Sequence, residues 1–300
     1  MQHAILGPGG IGGLIGASLA QSGSVVTMVG RPESMPDYPS EVQLESPFGD
    51  IRAAVDHSPE VPPVDVLWIA VKATQLEAAL RSLPDGGRVQ AIVPLLNGID
   101  HVALLRSRYG HDRVIAATIA VESERVAPGH IVHRSPFANL NVASAGKPVI
   151  GDTIDTLASM GFTCRFVDDE PTLLWSKLVF LAPLALASTA SRRTVGEMMG
   201  DPVWREKVFG SVREACAVAS KEGAAVDADA VIKTIGGLPG HLRSSMQKDV
   251  EQGRTPELDA IAGPIVRGAV RHHLDVPVIS ELAARVESRV MELRTQKRPA

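Results

Sequence analysis

The sequence contains few cysteines and carries no long block of positive charge. Of its 300 residues only Cys164 and Cys216 are cysteines, and they lie far apart and outside any metal-ligand spacing. Their scarcity indicates a reducing compartment without a disulfide framework, so we expect a cytoplasmic protein with no metal site. The formal net charge is −4 and no basic block exceeds a few residues, which argues against nucleic acid as the main partner.

Long apolar runs and a leader segment are also missing from the sequence. The most apolar run, Leu178 to Ala187, is too short to span a bilayer and contains Pro183, which favours a buried helix. The N-terminus enters a predicted strand without a charged region or a cleavage site, so we expect no signal peptide. The basic end, Arg294 to Arg298, is short and predicts a frayed tail. We therefore expect no membrane partner.

The order of the predicted elements divides the chain into two domains. Strands and helices alternate as far as Val121, which is typical of a doubly wound parallel sheet. Gly129–His133 and Asn139–Ser144 are predicted as antiparallel additions to this sheet. Beyond Asp168 the sequence is helical almost throughout. We predict an α/β, Rossmann-like doubly wound domain over residues 1–167 and an all-α domain over 168–300, with helices from Thr172 and over Pro202–Glu222, Leu242–Gln252, Glu257–His273 and Val278–Arg294.

The first twenty residues combine a short apolar strand, a glycine-rich turn and a helix of small residues. Gly7, Gly9 and Gly12 fit the spacing G-x-G-x-x-G, and each position has a mechanical reason for glycine. The first permits the tight turn, the second lets a pyrophosphate approach the backbone, and the third lets the helix pack on the strand. The unpaired N–H groups and positive dipole end of the helix favour phosphate. This context predicts a dinucleotide site.

The residue after the second strand indicates which dinucleotide is bound. An NAD site usually has an acid there for the ribose 2′-hydroxyl, whereas an NADP site uses arginine for the 2′-phosphate. The second predicted strand, Val25 to Val29, is followed by Gly30 and Arg31, and no acid occurs before Glu33. Arg31 could also be a solvated loop cation. The missing acid makes NADP the better interpretation.

Further polar residues follow the later strands of the predicted sheet. The buried run Val64 to Val71 ends at Lys72, and Gln90 to Leu96 ends at Asn97. Ligands of doubly wound sheets bind at the carboxyl ends of the strands. The glycine turn, Arg31, Lys72 and Asn97 all come at such ends, and their convergence is stronger evidence than any one of them.

Six short blocks follow one another along nearly the whole chain. They are the glycine turn, Val71-Lys72, Leu96-Asn97-Gly98, Leu174-Trp175-Ser176-Lys177-Leu178, Ser244-Ser245-Met246-Gln247-Lys248-Asp249 and Thr255-Pro256-Glu257-Leu258-Asp259. Any one of these blocks would be unspecific, but their combination and order are specific. In both respects the sequence resembles the ketopantoate reductase (2-dehydropantoate 2-reductase) family.

The resemblance implies a role for each matching position. Lys177 matches the proton donor and, with Asn97 and Ser245, the substrate-contacting positions. Glu257 matches the acid beside the catalytic lysine and the cofactor ribose, so the implied catalytic residues are Lys177 and Glu257. The positions that match NADP contacts are Gly7, Pro8, Gly9, Gly10, Ile11, Gly12, Arg31, Lys72, Asn97 and Glu257.

The residue types suit this chemistry, although each has a simpler interpretation. A positioned ammonium such as Lys177 can stabilise and protonate the alkoxide that forms when hydride reaches a ketone carbon. Desolvation on an apolar helix would lower its pKa, and a nearby carboxylate would raise it. Lys177 could instead be a helix-end lysine whose amine reaches solvent. Glu257 could be an ordinary first-turn acid, and Ser245 a cap or a surface serine.

The sequence departs from the family pattern beside the predicted catalytic lysine. The family has asparagines where this chain has Leu181, Ala185 and Val195, and no asparagine occurs after Asn141. Lys177, Leu181 and Ala185 share one helix face, so we expect an apolar wall beside the lysine. The substrate therefore does not follow from the resemblance.

Three functions are compatible with these observations. The leading one is NADPH-dependent reduction of a small-molecule 2-oxo acid to a 2-hydroxy acid, as in ketopantoate reduction for pantothenate biosynthesis. The second keeps this chemistry on a less polar keto substrate. The third is a non-catalytic NADP-binding sensor, against which the retention of Asn97, Lys177 and Glu257 argues. A homodimer is the default expectation for assembly.

Overall fold

The computed structural model describes residues 1–83 and 89–296. The described residues divide into two compact units. The first contains those of Met1–Leu96 and Asp100–Leu173, and the second contains Asn97–Ile99 together with those from Leu174 onward. The division falls slightly beyond residue 167, within the first turn of a long helix that begins at Glu170. Both carboxylate oxygens of Glu170 accept hydrogen bonds from Arg106, at 2.5 and 2.8 Å, which hold this turn on the first unit.

The first unit contains all the described strands. In chain order they are β1 (Gln2–Leu6), β2 (Val25–Val29), β3 (Glu41–Glu45), β4 (Ile51–Ala54), β5 (Asp56–Ser58), β6 (Val64–Ile69), β7 (Val89–Pro94), β8 (Ala117–Ala120), β9 (Ser123–Ala127), β10 (His130–His133), β11 (Asn139–Ala143) and β12 (Thr163–Val167). The helices of this unit are α1 (Gly10–Gln21), α2 (Leu76–Ala79), α3 (Asp100–Tyr109) and α4 (Lys147–Ser159).

The central sheet of the first unit has the order β5-β2-β1-β6-β7, and its pairings are all parallel. The parallel order explains why β6 is almost continuously apolar, since a strand covered on both faces needs apolar side chains on both. Trp68 of β6 and Ile5 of β1 are fully buried in the core of this unit. The predicted α/β, Rossmann-like fold of this part of the chain is confirmed.

The prediction that the later strands extend the central sheet is wrong. β10 lies in a four-stranded sheet of order β4-β3-β10-β9, and β11 lies in a three-stranded sheet of order β12-β11-β8. β10 pairs with β3 in parallel and with β9 antiparallel, and β11 pairs with β12 in parallel and with β8 antiparallel. Alternation of apolar residues indicates that a segment is a strand but not which strand it pairs with.

The second unit is helical, as predicted for an all-α domain. Its helices are α5 (Glu170–Ser191, whose first turn belongs to the first unit), α6 (Val195–Gly200), α7 (Pro202–Lys221), α8 (Ala228–Gly236), α9 (Ser245–Glu251), α10 (Leu258–His272) and α11 (Pro277–Gln296). The basic end is helical as far as Gln296, and the remainder of the predicted tail lies outside the described residues.

The helix α5 contributes many residues to the core of the second unit. In the described part of the chain it is the one helix long and apolar enough to cross a bilayer, but 67% of its apolar window is buried inside the protein. Val179, Ala182 and Leu186 of this helix are fully buried in the core of the unit. Burial of this kind is what a core helix shows.

Candidate active site

The glycine turn has the close contacts that its sequence pattern predicts. Gly7 has a φ of +94°, which L-residues rarely adopt, and a Cβ atom there would lie 2.6 Å from the Val71 side chain. A Cβ atom on Gly12 would lie 2.3 Å from the carbonyl oxygen of Gly7. The turn and the first turn of α1 are therefore packed too tightly for any side chain at these two positions.

The N-terminus of α1 has the properties of a phosphate site. Gly9 is the N-cap residue, no described side chain caps it, and the first turn holds no acid. A Cβ atom on Gly9 would point into space that contains no described atom within 4 Å, whereas one on Gly10 would lie 2.1 Å from the Ser123 carbonyl oxygen. The Gly9 N–H itself donates to the Gly7 carbonyl oxygen at 2.7 Å, but the backbone is open there, and the dipole of the helix that begins at this residue favours an anion. These residues fit the pyrophosphate of a dinucleotide.

Arg31 and Lys72 follow the strands on either side of β1. Arg31 is exposed and comes two residues after β2, and Lys72 is half-buried and comes three residues after β6. Because β2 and β6 both pair with β1, the two cations and the glycine turn come at the same edge of the sheet. The structure thus brings together the predicted cofactor residues of the first unit.

Asn97 and Glu257 form a hydrogen bond in the second unit. The Nδ2 atom of Asn97 donates to Oε2 of Glu257 at 3.0 Å, although the two residues are 160 positions apart. Glu257 is the N-cap residue of α10 and only 8% exposed. A carboxylate removed from water in this way needs such a donor, because burial without one disfavours its charge.

Lys177 lies in the second turn of α5 and has an altered affinity for its proton. Burial lowers the pKa of Lys177 to about 8 from its usual 10.5, and the charge of Glu257 opposes this shift. As the sequence analysis predicts, desolvation lowers the pKa of Lys177 and the nearby carboxylate raises it. The described second unit therefore contains an ammonium group with a pKa near physiological pH, a buried carboxylate and an amide.

Ser245 is the first residue of α9 and is exposed. Its neighbour Ser244 caps this helix, because the Ser244 hydroxyl accepts from the backbone N–H of Gln247 at 3.1 Å. The Ser244 hydroxyl also bonds the hydroxyl of Ser188 on α5 at 2.7 Å. The sequence analysis did not single out this buried pair, although the spacing S-x-x-Q is a signature of a helix N-terminus.

The residues that replace the family's asparagines differ in exposure. Leu181 follows Lys177 by one helical turn and is half-buried, whereas Ala185 and Val195 are 0% and 1% exposed. Ala185 and Val195 are therefore core residues of the second unit. Of the three residues that replace asparagines, Leu181 alone retains appreciable accessible surface, so of the predicted wall residues Leu181 and Ala185 only the first is accessible.

The first unit has a parallel sheet with a glycine turn before its first helix, and the helical unit carries a lysine of lowered pKa. Together these features are typical of a dinucleotide-dependent oxidoreductase. Residues 3–146 match the family described as ketopantoate reductase PanE/ApbA, and residues 172–289 match the C-terminal part of that family. The chain belongs to the ketopantoate reductase family.

Known proteins resemble the chain in sequence or in fold. It is 30% identical to the 2-dehydropantoate 2-reductase of Caulobacter vibrioides over 94% of this chain and 96% of that protein. The crystal structure of a PanE/ApbA family ketopantoate reductase from Ralstonia eutropha has a TM-score of 0.86 at 24% identity, covering 98% of this chain and all of that one. D-mandelate dehydrogenase with NADH and anilino(oxo)acetate has a TM-score of 0.85 at 21% identity, with the same coverage.

Family membership fixes the class of reaction. The protein is an oxidoreductase that acts on CH–OH groups and uses NADP as its cofactor, and its general reaction is the reduction of 2-oxo acids.

Proposed function

We propose that the protein reduces a 2-oxo acid to the 2-hydroxy acid with NADPH, and that Lys177 donates the proton. The observation that carries this proposal is the group formed by Lys177, Glu257 and Asn97. Its lysine has a pKa of about 8, so at neutral pH it is mostly an ammonium ion that releases its proton more readily than an ordinary lysine does.

The first unit binds the cofactor in this proposal. The backbone of Gly7–Gly12 and the N-terminus of α1 hold the pyrophosphate, since this is where the loop is open and uncapped. Arg31 pairs with the 2′-phosphate, and Lys72 is a second cofactor contact. NADPH, when bound, supplies the hydride for the keto carbon.

The second unit supplies the groups that stabilise and protonate the keto oxygen. The Lys177 ammonium stabilises the negative charge that develops on this oxygen and then protonates it. Glu257 keeps the lysine charged despite its burial, and also contacts the cofactor ribose. Asn97 orients Glu257 through their hydrogen bond and contacts substrate and cofactor, and Ser245 contacts the substrate.

Replacement of Lys177 by alanine tests the proposal. We expect kcat to fall about a hundredfold or more, because the proton donor is lost, while the affinity for NADPH stays nearly unchanged. Single-turnover kinetics with a panel of 2-oxo acids, beside a fluorescence titration of NADPH, separates the two effects. Lys221→Ala, at the exposed end of α7, is the matched control and should leave both unchanged.

Near-normal turnover of Lys177→Ala would remove this lysine from the mechanism. If the unmodified protein binds NADPH but oxidises it with none of the 2-oxo acids in the panel, the substrate lies outside that panel and the proposed substrate range is wrong.

A less polar keto substrate is the second candidate, and Leu181 is the observation that favours it. This accessible apolar side chain lies one helical turn from Lys177, where the family pattern has an amide. A neighbour of the same fold was solved with anilino(oxo)acetate, so this fold accommodates an aromatic 2-oxo acid.

Cytoplasmic location and a homodimer stay predictions from the sequence.

A further inference from the structure

The helix α10 contains a proline in its interior. Pro264 lies seven residues inside the helix Leu258–His272, and it is buried. Proline has no N–H group to donate to the carbonyl four residues earlier, and its ring pushes that carbonyl away from the helix axis. In α10 the carbonyl that lacks this donor belongs to Ala260. Proline is one of the usual causes of a sharp kink in a helix.

The Ala260 carbonyl meets the backbone of Gly98. A Cβ atom on Gly98 would lie 2.2 Å from the Ala260 oxygen, far closer than real Cβ atoms approach, and 3.0 Å from its carbonyl carbon. Gly98 also has a φ of +82°, which side chains disfavour. The segment Asn97–Ile99 belongs to the second unit, so this contact lies within that unit. Gly98 therefore packs directly against the carbonyl that Pro264 leaves without its usual helical donor.

The neighbouring residue makes a second contact with the same end of α10. Asn97 donates its side-chain amide to Glu257, the N-cap residue of the helix, three residues before Ala260. The short segment is thus fixed at two points of the first turn, one through its side chain and one through its backbone. Two contacts restrict the position of Asn97 more than one hydrogen bond does. They also keep a donor on the carboxylate that faces Lys177.

We propose that Pro264 and Gly98 are positioning residues, which act through the Ala260 carbonyl to hold the Asn97 amide on the Glu257 carboxylate. This proposal rests on the function proposed above for Asn97, Glu257 and Lys177. A purely structural proline would bend α10 to fit the core and would leave Asn97 unaffected. The two interpretations differ in what happens when the N–H group at position 264 is restored.

The first experiment replaces Pro264 by alanine. Alanine restores an N–H donor for the Ala260 carbonyl and draws this carbonyl toward the helix axis. The backbone against which Gly98 packs therefore shifts. We expect kcat/KM to fall about tenfold or more, as for loss of a hydrogen bond to a charged group, while the melting temperature stays the same or rises because alanine favours helix. Opposite changes in stability and activity are not expected of a proline that only shapes the core.

A double substitution shows whether the effect passes through Asn97. In the Asn97→Ala background, Pro264→Ala should cause no further loss of kcat/KM, because there is no amide left to position. The 15N signal of the Asn97 side-chain amide, recorded without cofactor or substrate, should move in Pro264→Ala toward its value in Glu257→Gln. Additive losses, or an unmoved amide signal, overturn the proposal.

Gly98→Ala tests the other side of the contact. Gly223 is the matched control, because it has a φ of +86° in the same unit but no described atom within 4 Å of the point that a Cβ atom would occupy. Gly223→Ala therefore measures the conformational strain alone. We expect Gly98→Ala to lower kcat/KM at least tenfold relative to Gly223→Ala, and equal effects of the two substitutions contradict the proposal.

The outcomes separate this inference from the function on which it rests. If Asn97→Ala leaves kcat/KM unchanged, the proposed role of Asn97 fails, and the role of Pro264 and Gly98 in catalysis fails with it. If Asn97→Ala lowers kcat/KM and Pro264→Ala does not, the proposed function stands and the positioning role alone is wrong.

Discussion

Lys177 is subject to two opposing influences on its charge. Burial favours the neutral amine and lowers its pKa to about 8, while the carboxylate of Glu257 favours the ammonium form. Reduction requires the ammonium form, because the keto oxygen must receive a proton. A lysine with its usual pKa of 10.5 would hold its proton too tightly to be an efficient donor near neutral pH.

This balance predicts the pH dependence of the reaction. The pKa of Lys177 is depressed, so the ammonium form is present below about pH 8 and is lost as the pH rises through that value. The kcat for reduction should therefore fall above about pH 8, and the reverse oxidation, which needs the neutral amine, should rise there. Steady-state rates in both directions, from about pH 6 to about pH 10, measure this. A reduction rate that stays level across this range contradicts the assignment.

Arg31 is the residue that we expect to distinguish the two nicotinamide cofactors. A charge-assisted contact contributes roughly 1.5–3 kcal/mol, so NADPH should be preferred over NADH by about ten- to a hundredfold. Arg31→Ala should remove most of this preference, and Arg165→Ala, at an exposed arginine of β12, should leave it unchanged. Fluorescence titrations with both cofactors provide the comparison. Equal binding of NADPH and NADH by the unmodified protein defeats the assignment.

Elements whose features are local could be predicted from the sequence. The strand, turn and helix at Gln2–Gln21 follow from glycine spacing and apolar pattern, because their geometry depends on residues a few positions apart. The helix α10 was also expected over Glu257–His273 despite Pro264, since its apolar residues keep helical spacing.

Elements whose features depend on distant residues could not be predicted in this way. The strands β10 and β11 were recognised, but their partners were not, because pairing depends on segments far away in the chain. The contact of Gly98 with Ala260 joins residues far apart in the sequence, and nothing near either residue indicates it. The bond between Asn97 and Glu257 joins residues 160 positions apart, and no local pattern near either residue predicts it.

At the scale of the whole molecule, the family and the reaction class are shown, whereas the substrate depends on a few residues near Lys177. Three apolar residues replace the family's asparagines, and one of them is accessible in the structure. Ala185 and Val195 are core residues, whereas Leu181 retains accessible surface. Asparagine at a fully buried position would overpack the core or leave an amide unpaired. Leu181 is therefore the position at which specificity can be tested without disturbing the fold.

The last prediction concerns the choice between ketopantoate and its deoxy analogue, which lacks the hydroxyl. A polar group left without a partner costs about 1–3 kcal/mol, so the unmodified protein should use the deoxy analogue about tenfold better or more. Leu181→Asn should move the ratio of the two kcat/KM values toward ketopantoate by about two- to tenfold, the contribution of one neutral hydrogen bond. Leu238→Asn, at another half-buried leucine of the second unit, is the matched control and should leave the ratio unchanged. High efficiency on ketopantoate in the unmodified protein would mean that another group of the protein already binds the hydroxyl, and that Leu181 does not set the specificity.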